Sequence, residues 1–472
     1  MSDTPERVTQ ALVLAAGLGS RLESQTPKPL QRVLGVPLLA RTLFTFQRGG
    51  VTDVYVVVGH EADRVRSGMA QWARPGLNVH WVFNPDWREA NGVSVLAAEA
   101  ELDGPFFLSM TDHLFQADVV TALAQNGPGN GINLAVDYQV DRVLDLEDAT
   151  KVRVEDGRIA AIGKTLADYD AIDTGVFLAS PSLFEALHEA GAEGGPSLSA
   201  GVQILAERGQ AWVTDIDGLM WQDVDTPADL VEAKRKLLAG IRKDSDGAIA
   251  RHLNRPLSTA LSRVLVNTPI TPNQISVSTL VISLISAGFA VAGGYLNFLV
   301  AGVLFQIASI VDGTDGEVAK LKFQSSHLGE WIDTVCDNVS YLAFLAGLII
   351  GAHRAGLPSY YALSGTVGFV AAAGSIANLA SSVARDKRSG SFLSVQYGYQ
   401  EGGGWVSRFM RAVHFMGKRD FFAFLALILA VVGRLPLALP MFGAGATLLL
   451  FPATLKVNVS SWLRQRQAKQ RS

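Results

Sequence analysis

Six apolar stretches, near 275–293, 296–318, 329–351, 358–383, 420–434 and 436–455, occupy the second half of the 472-residue chain. Each is close to the ~20 residues that cross a bilayer as a helix, the fifth being short. Backbone N–H and C=O groups find no water in hydrocarbon, so such stretches are confined to helices. The pattern predicts an all-α domain of six transmembrane helices in an integral membrane protein. The first half instead mixes charge with short apolar runs, and that contrast implies two units of different class.

Basic residues set the expected orientation. Lys320 and Lys322 join the second and third stretches; Arg385, Lys387, Arg388, Arg408, Arg411, Lys418 and Arg419 separate the fourth and fifth; Lys456, Arg464, Arg466, Lys469 and Arg471 follow the sixth. The opposite side has essentially Arg354 and Arg434. Lys and Arg favour the cytosolic side, so both termini and the turn in the 320s are expected there. The N-terminal MSDTPERVTQ has no basic segment leading into an apolar one, which also fits a cytosolic start. The formal net charge of −4 says little of partners, and no nucleic-acid partner is expected. Cys336, the single cysteine, excludes an intramolecular disulfide framework and reads as a packing residue.

Asp312, Asp315, Asp333 and Asp337 lie within and between the second and third apolar stretches. A charged group in a membrane helix costs several kcal/mol, on the order of 2.5–3.5 by insertion, so something must compensate them. A turn near 324–327 places Asp315 level with Asp333 and Asp312 level with Asp337. Spacings of three and four residues put each pair on one helical face. Four hard oxygen ligands at matched heights predict one or two divalent cations, Mg²⁺ or Mn²⁺. Gly313, Gly316 and Gly329 leave room for close packing or for a phosphate.

The run Asp312, Asp315, Gly316, Ala319, Lys320, Gly329, Asp333, Asp337 resembles the signature of the CDP-alcohol phosphotransferases, and the resemblance covers about residues 245 to 460. It implies that the first three aspartates bind metal and the donor diphosphate. Asp337 then helps bind metal and acts as general base on the acceptor hydroxyl. Gly316 and Lys320 would meet phosphate, although Lys320 stands where the family usually has arginine, a point charge in place of a bidentate fork. The resemblance also implies a homodimer through the membrane helices.

In the first half QALVLAA, VTDVYVVVG, LNVHWVF, GPFFLSM, NLAVDY and DAIDTGVFLAS read as strands of an open, Rossmann-like α/β sheet. LVLAAGLGSRLESQTPKPL, residues 12–30, follows the first of them, and Gly17 and Gly19 allow a tight turn whose N–H groups face a phosphate. With Arg21 and Lys28 this loop resembles the sugar-phosphate nucleotidyltransferases over roughly residues 8 to 237. The resemblance implies that Arg21 and Lys28 offset phosphate charge and that Asp112 holds Mg²⁺. Asp223 or Asp225 would be the partner carboxylate; spacing leaves that choice open, and Asp225 is the one expected. Asn91 and Ser94 in NGVSVL resemble the base-recognition turn, while His113 and His60 read as packing or hydrogen-bonding residues. The expected organisation is a nucleotidyltransferase domain at 1–237, a linker and amphipathic helix lying flat in the interface at 238–265, a membrane domain at 266–460, and a basic tail at 461–472.

The two resemblances imply that one half makes a nucleotide-diphospho alcohol and the other consumes one, so the fusion points to CTP. NGVSVL, TDHLF, the segment from Asp145 to Phe177 and KDSDGAIARHLNRPLS make the chain similar to the bifunctional inositol-1-phosphate cytidylyltransferase and CDP-inositol:inositol-1-phosphate transferase family. That resemblance implies CTP, inositol 1-phosphate and CDP-inositol as ligands, metal but no organic cofactor, and a cell membrane of bacterial or archaeal type with both active sites cytosolic. It also implies that Lys151 and Lys164 pair with the inositol phosphate and that Asp173 accepts ring hydroxyls. A solvated hairpin edge is the plainer role for the two lysines. A second reading keeps both chemistries but uses another CDP-alcohol and a lipid acceptor.

Overall fold

The computed structural model describes residues 8–143, 145–191, 196–241, 247, 249–386 and 419–471. The chain divides into two compact units, Met1–Gly240 and Ile241–Ser472. The basic residues Lys387, Arg388, Arg408, Arg411 and Lys418 lie outside the described residues.

A nine-stranded sheet organises the first unit. Its strands are β1 (Gln10–Ala15), β2 (Asp53–Val58), β3 (Asn78–Phe83), β4 (Phe106–Met110), β5 (Ile132–Asp137), β6 (Lys151–Glu155), β7 (Arg158–Gly163), β8 (Ala171–Ala179) and β9 (Ala211–Asp215). Their spatial order is β3-β2-β1-β4-β8-β5-β9-β7-β6. The six strands expected from sequence are β1, β2, β3, β4, β5 and β8. β3, β2, β1 and β4 run parallel, whereas β8 is antiparallel to both β4 and β5.

Side chains alternate between the faces of a strand. Leu12 and Leu14 join Phe106, Leu108, Leu134 and Phe177 in one core cluster, which Leu187 and Val202 from the helices Ser182–Gly191 and Leu198–Glu207 complete. Val13 between the two leucines is equally buried and faces the other way. Both faces are therefore covered, which is why β1 reads as a continuous apolar run. β6 and β7 form a hairpin whose turn is Asp156 and Gly157, both at positive φ, a pairing whose twist suits a two-residue loop.

The second unit is helical: α1 (Arg255–Leu265), α2 (Pro272–Ala292), α3 (Tyr295–Leu321), α4 (His327–Arg354), α5 (Ser359–Asp386), α6 (Arg419–Val431), α7 (Ala438–Gly445) and α8 (Phe451–Arg471). Thr271 and Gln274 close a capping box at the start of α2, and Ser326 caps α4. Five helical stretches among the described residues are long and apolar enough to cross a membrane. The fifth apolar stretch is described as the 13-residue α6. The sixth is interrupted by a π-helical turn at Ala446–Leu450 and then continues unbroken to Arg471, so residues 461–471 extend a helix where a separate tail was expected.

The amphipathic helix α1 packs on the bundle through its polar residues. Its polar Ser258 and Ser262 are buried, while Leu257 and Val264 are exposed. The polar face is turned into the bundle and the apolar face outward, the side by which an amphipathic helix rests on lipid.

α2 and α4 pack through glycine. A Cβ at Gly351 would lie 1.9 Å from the Ala290 carbonyl oxygen, and one at Gly347 would lie 2.6 Å from that of Ala287. Small residues let helix backbones approach where no hydrophobic effect drives association. Gly351→Val is expected to lower the stability of the detergent-solubilised protein by about 1–3 kcal/mol, the usual cost of overpacking, read as an earlier thermal transition. An unchanged transition would show that the helices separate at no cost.

Candidate functional site

The loop after β1 shapes a cleft of about 400 Å³. Gly17, Gly19, Arg21, Lys28, Asn91, Ser94, Asp112 and Asp225, all singled out in the sequence, are among the residues that line it. Gly19 has φ 65°, and a Cβ there would come within 2.6 Å of the Lys28 Cβ. Glycine is thus required for the turn and for the lysine to enter beneath it. Asn91 and Ser94 sit on the short helix Asn91–Leu96: Asn91 Oδ1 accepts the Leu198 N–H at 2.9 Å and Ser94 Oγ accepts from Asn84 Nδ2 at 2.9 Å.

Charges alternate across this cleft. Lys28 Nζ lies 2.5 Å from both Asp112 Oδ2 and Asp225 Oδ1. Arg21 reaches Asp225 Oδ2 at 2.6 Å and Asp148 Oδ2 at 2.5 Å, and Lys164 Nζ reaches Asp148 Oδ1 at 2.6 Å. Asp148 was not anticipated from sequence. Burial would lower the Lys28 pKa, but the two carboxylates outweigh it and hold the ammonium above its usual range.

Behind the lysine, Asp112, His113 and Asp223 offer ligand atoms that all lie within 4.8 Å of one another. Asp223 thus groups with Asp112 and His113, while Asp225, the residue expected from sequence, meets Lys28 and Arg21. Asp225 also helps begin the following helix, whose Thr226–Asp229 capping box is the plain structural role of this segment. His113 Nδ1 is 2.8 Å from Asp112 Oδ1. Burial opposes its charge, yet Asp223 and Asp112 raise its pKa to about 9. Burial pushes the Asp223 carboxyl up to about 7, and its Oδ1 is buried without a hydrogen-bond partner. An orphaned buried carboxylate oxygen beside Asp112 fits a bound cation.

The three polyol-site residues separate. Lys151 Nζ is buried and donates to the carbonyls of Glu147, Ala149 and Lys164 at 3.5, 3.3 and 2.8 Å, so it ties the hairpin together. Lys164 is exposed and reaches Arg21 through Asp148. Asp173 accepts the Gly175 N–H at 2.7 Å, and burial raises its pKa to about 6. Its charge also acts on His113, which connects Asp173 with the Asp112 cluster.

A second constellation lies in the helical unit. Asp312 and Asp315 on α3 and Asp333 on α4 offer ligand atoms all within 4.8 Å. Asp315 accepts from Ser276 Oγ at 2.5 Å and from the Gly316 N–H at 2.5 Å. A Cβ at Gly316 would meet nothing within 4 Å, so space is open beside Asp315. Lys320, one turn later, is exposed. Asp337 and Asp312 are joined by a residue the sequence reading counted only as a basic loop residue: Arg419 Nη1 lies 2.7 Å from Asp312 Oδ1 and also bonds Asp337. The Arg419 Nε and Nη2 are buried without partners among the described residues. Four oxygen-rich side chains that need a guanidinium between two of them fit a divalent-cation site.

With chelator present, the stability of the first unit is expected to depend on His113. Its raised pKa contributes stability that is complete below the ordinary value of 6.5 and is lost as pH rises through about 9. Denaturant titrations should show that decline in the wild type and a flatter profile for H113Q; matching profiles would contradict the assignment.

Residues 11–211 match the family described as the MobA-like NTP transferase domain, and residues 269–455 that of CDP-alcohol phosphatidyltransferase. The bifunctional IPC transferase and DIPP synthase of Rubrobacter xylanophilus is 39% identical over 76% of this chain and 81% of its own. That of Archaeoglobus fulgidus is 31% identical over 91% and 80%, respectively. The solved inositol-1-phosphate CTP transferase from T. maritima is 28% identical, covering 49% of this chain and 95% of its own, with a TM-score of 0.45. With two such sites in one chain and relatives matched across both, the chain belongs to the family of bifunctional IPC transferases and DIPP synthases.

Proposed function

We propose that the first unit, residues 1–237, converts CTP and inositol 1-phosphate to CDP-inositol and pyrophosphate. The helical unit, residues 266–460, then transfers phosphoinositol to a hydroxyl of a second inositol 1-phosphate, releasing CMP and giving di-myo-inositol phosphate phosphate. The observation that carries this reading is the clustering of Asp312, Asp315 and Asp333 within 4.8 Å in a chain that also holds a phosphate-binding glycine loop.

In the first step a phosphate oxygen of the monoester attacks the α-phosphorus of CTP; the new P–O bond forms as the bond to the β-phosphate breaks and pyrophosphate leaves. The N–H groups of Gly17 and Gly19 and the charges of Arg21 and Lys28 receive the triphosphate. Asn91 and Ser94, each fixed by a hydrogen bond to the fold, face the base. Lys164 is the hairpin residue that meets the monoester phosphate, and Asp173 meets ring hydroxyls, while Lys151 acts by holding the hairpin. In the second step Asp337 takes the proton of the acceptor hydroxyl, whose oxygen attacks the inositol-bearing phosphorus as CMP departs. Gly316 leaves room for the diphosphate, Lys320 adds a point charge, and Arg419 brings a fixed cation to the same phosphates.

Mg²⁺ or Mn²⁺ would be held by Asp112 with Asp223 or Asp225, and by Asp312, Asp315, Asp333 and Asp337. There it would neutralise phosphate charge and align the attacking and leaving oxygens. The reading includes six spans, with α6 extended into the fifth, both termini and both sites cytosolic, and a homodimer through the membrane helices. The distribution of Lys and Arg supports the sidedness.

Purified protein given CTP, Mg²⁺ and a panel of phosphorylated alcohols should release pyrophosphate fastest with inositol 1-phosphate. No release with it, alongside release with another alcohol phosphate, would overturn the inositol assignment. Asp337→Asn should lower transfer at least about 10²-fold, the scale of a lost general base, while pyrophosphate release persists. Retained transfer would exclude Asp337 as the base.

A further inference from the structure

The helix that presents Asp312 and Asp315 has a second polar face. Glu317 follows Asp315 by two residues, which at 3.6 residues per turn directs it to nearly the opposite side. Its side chain is 2% exposed. A carboxylate so deep is tolerated only when its oxygens are paired, and all three of its partners here come from α1. Ser258 Oγ donates to Oε1 at 2.7 Å, Ser262 Oγ to Oε2 at 2.6 Å, and Arg255 Nη1 to Oε1 at 2.9 Å.

Glu317 is the centre of a longer seam. Towards the start of α3, Gln306 Nε2 donates to Asn254 Oδ1 at 2.8 Å, and Asn254 Nδ2 reaches Ser309 Oγ at 3.3 Å. Beyond its end, Lys322 Nζ donates to the carbonyls of Thr268 and Ile270 at 2.6 and 2.8 Å. The two helices run close at Gly313, where a Cβ would lie in ordinary contact, 3.5 Å from Ser258 Oγ. The polar residues of α1 are thus engaged by α3. Because side chains on one helix keep a fixed angular relation, whatever fixes the Glu317 face also fixes where the aspartates point.

We propose that Glu317 is a positioning residue of the transfer site. Fastened to Arg255, Ser258 and Ser262, it sets the rotation of α3 that turns Asp312 and Asp315 toward Asp333. This role rests on reading the aspartates as a cation site. A glutamate also makes the setting specific, since an apolar residue at 317 would let α3 roll against α1 with little loss.

The test uses the full-length protein in detergent, titrated with Mn²⁺ and read by loss of the free-ion paramagnetic signal. Subtracting the D333N titration isolates the membrane site. E317A is expected to weaken that site by about tenfold or more, the scale seen when outer partners of metal ligands are removed. The double variant E317A/R255A also removes the guanidinium that the first change deprives of Glu317. It should recover the wild-type unfolding temperature while Mn²⁺ binding stays weak, which a purely structural role would not produce. Wild-type Mn²⁺ affinity in E317A, or recovery of affinity together with stability in the double variant, would overturn the role of Glu317 alone. Identical titrations of the wild type and D333N would overturn the cation site and Glu317 with it.

Discussion

Carboxylates gathered away from bulk water must be matched by positive charge, and both halves of this protein are organised around that requirement. In the first unit Lys28 lies between Asp112 and Asp225, and Arg21 between Asp225 and Asp148. In the second, Arg419 bridges Asp312 and Asp337. The cations in each place are those that phosphate would engage, and the carboxylates are those that a divalent ion would engage. Two unrelated architectures, a sheet with a glycine loop and a helical hairpin, thus arrive at the same alternation of charge, as phosphoryl transfer demands.

Much of this was legible because it is local or periodic. The α3–α4 hairpin follows from a turn and a helical rise, so the meeting of Asp312, Asp315 and Asp333 could be read by counting residues. Gly19 and Lys28 are nine residues apart on one loop and their proximity was equally readable. What escaped depends on separation in sequence. Arg419 lies 82 residues from Asp337 and resembled its basic neighbours; the available signal was its place at the start of the apolar run FFAFLALIL. Asp148, 127 residues from Arg21, had no such signal. Asp223 and Asp225 are alternate residues of one segment, and only the fold could turn one toward Asp112 and the other toward Lys28.

Helix α1 shows a different limit. Amphipathicity states that two faces differ but not which is covered by protein, and in a membrane the apolar face can be the exposed one. Ser258 and Ser262 bond Glu317 inside the bundle, a pairing that the amphipathic pattern of α1 alone does not reveal. The buried glutamate was the missing clue, since its carboxylate needs donors that no neighbouring apolar helix supplies. Sequence likewise separated a basic tail from 461 onward, whereas hydrogen bonding carries α8 on to Arg471.

The central claim is that the two sites perform consecutive reactions on one nucleotide. A ³¹P NMR time course with CTP, Mg²⁺ and inositol 1-phosphate as the only substrates tests it most directly. The account predicts that pyrophosphate appears first, that a CDP-linked diester rises and decays, and that CMP and a new phosphodiester then accumulate until CMP equals pyrophosphate. Pyrophosphate formed with a stable CDP-linked product and no CMP, in protein whose membrane unit is folded, would contradict it.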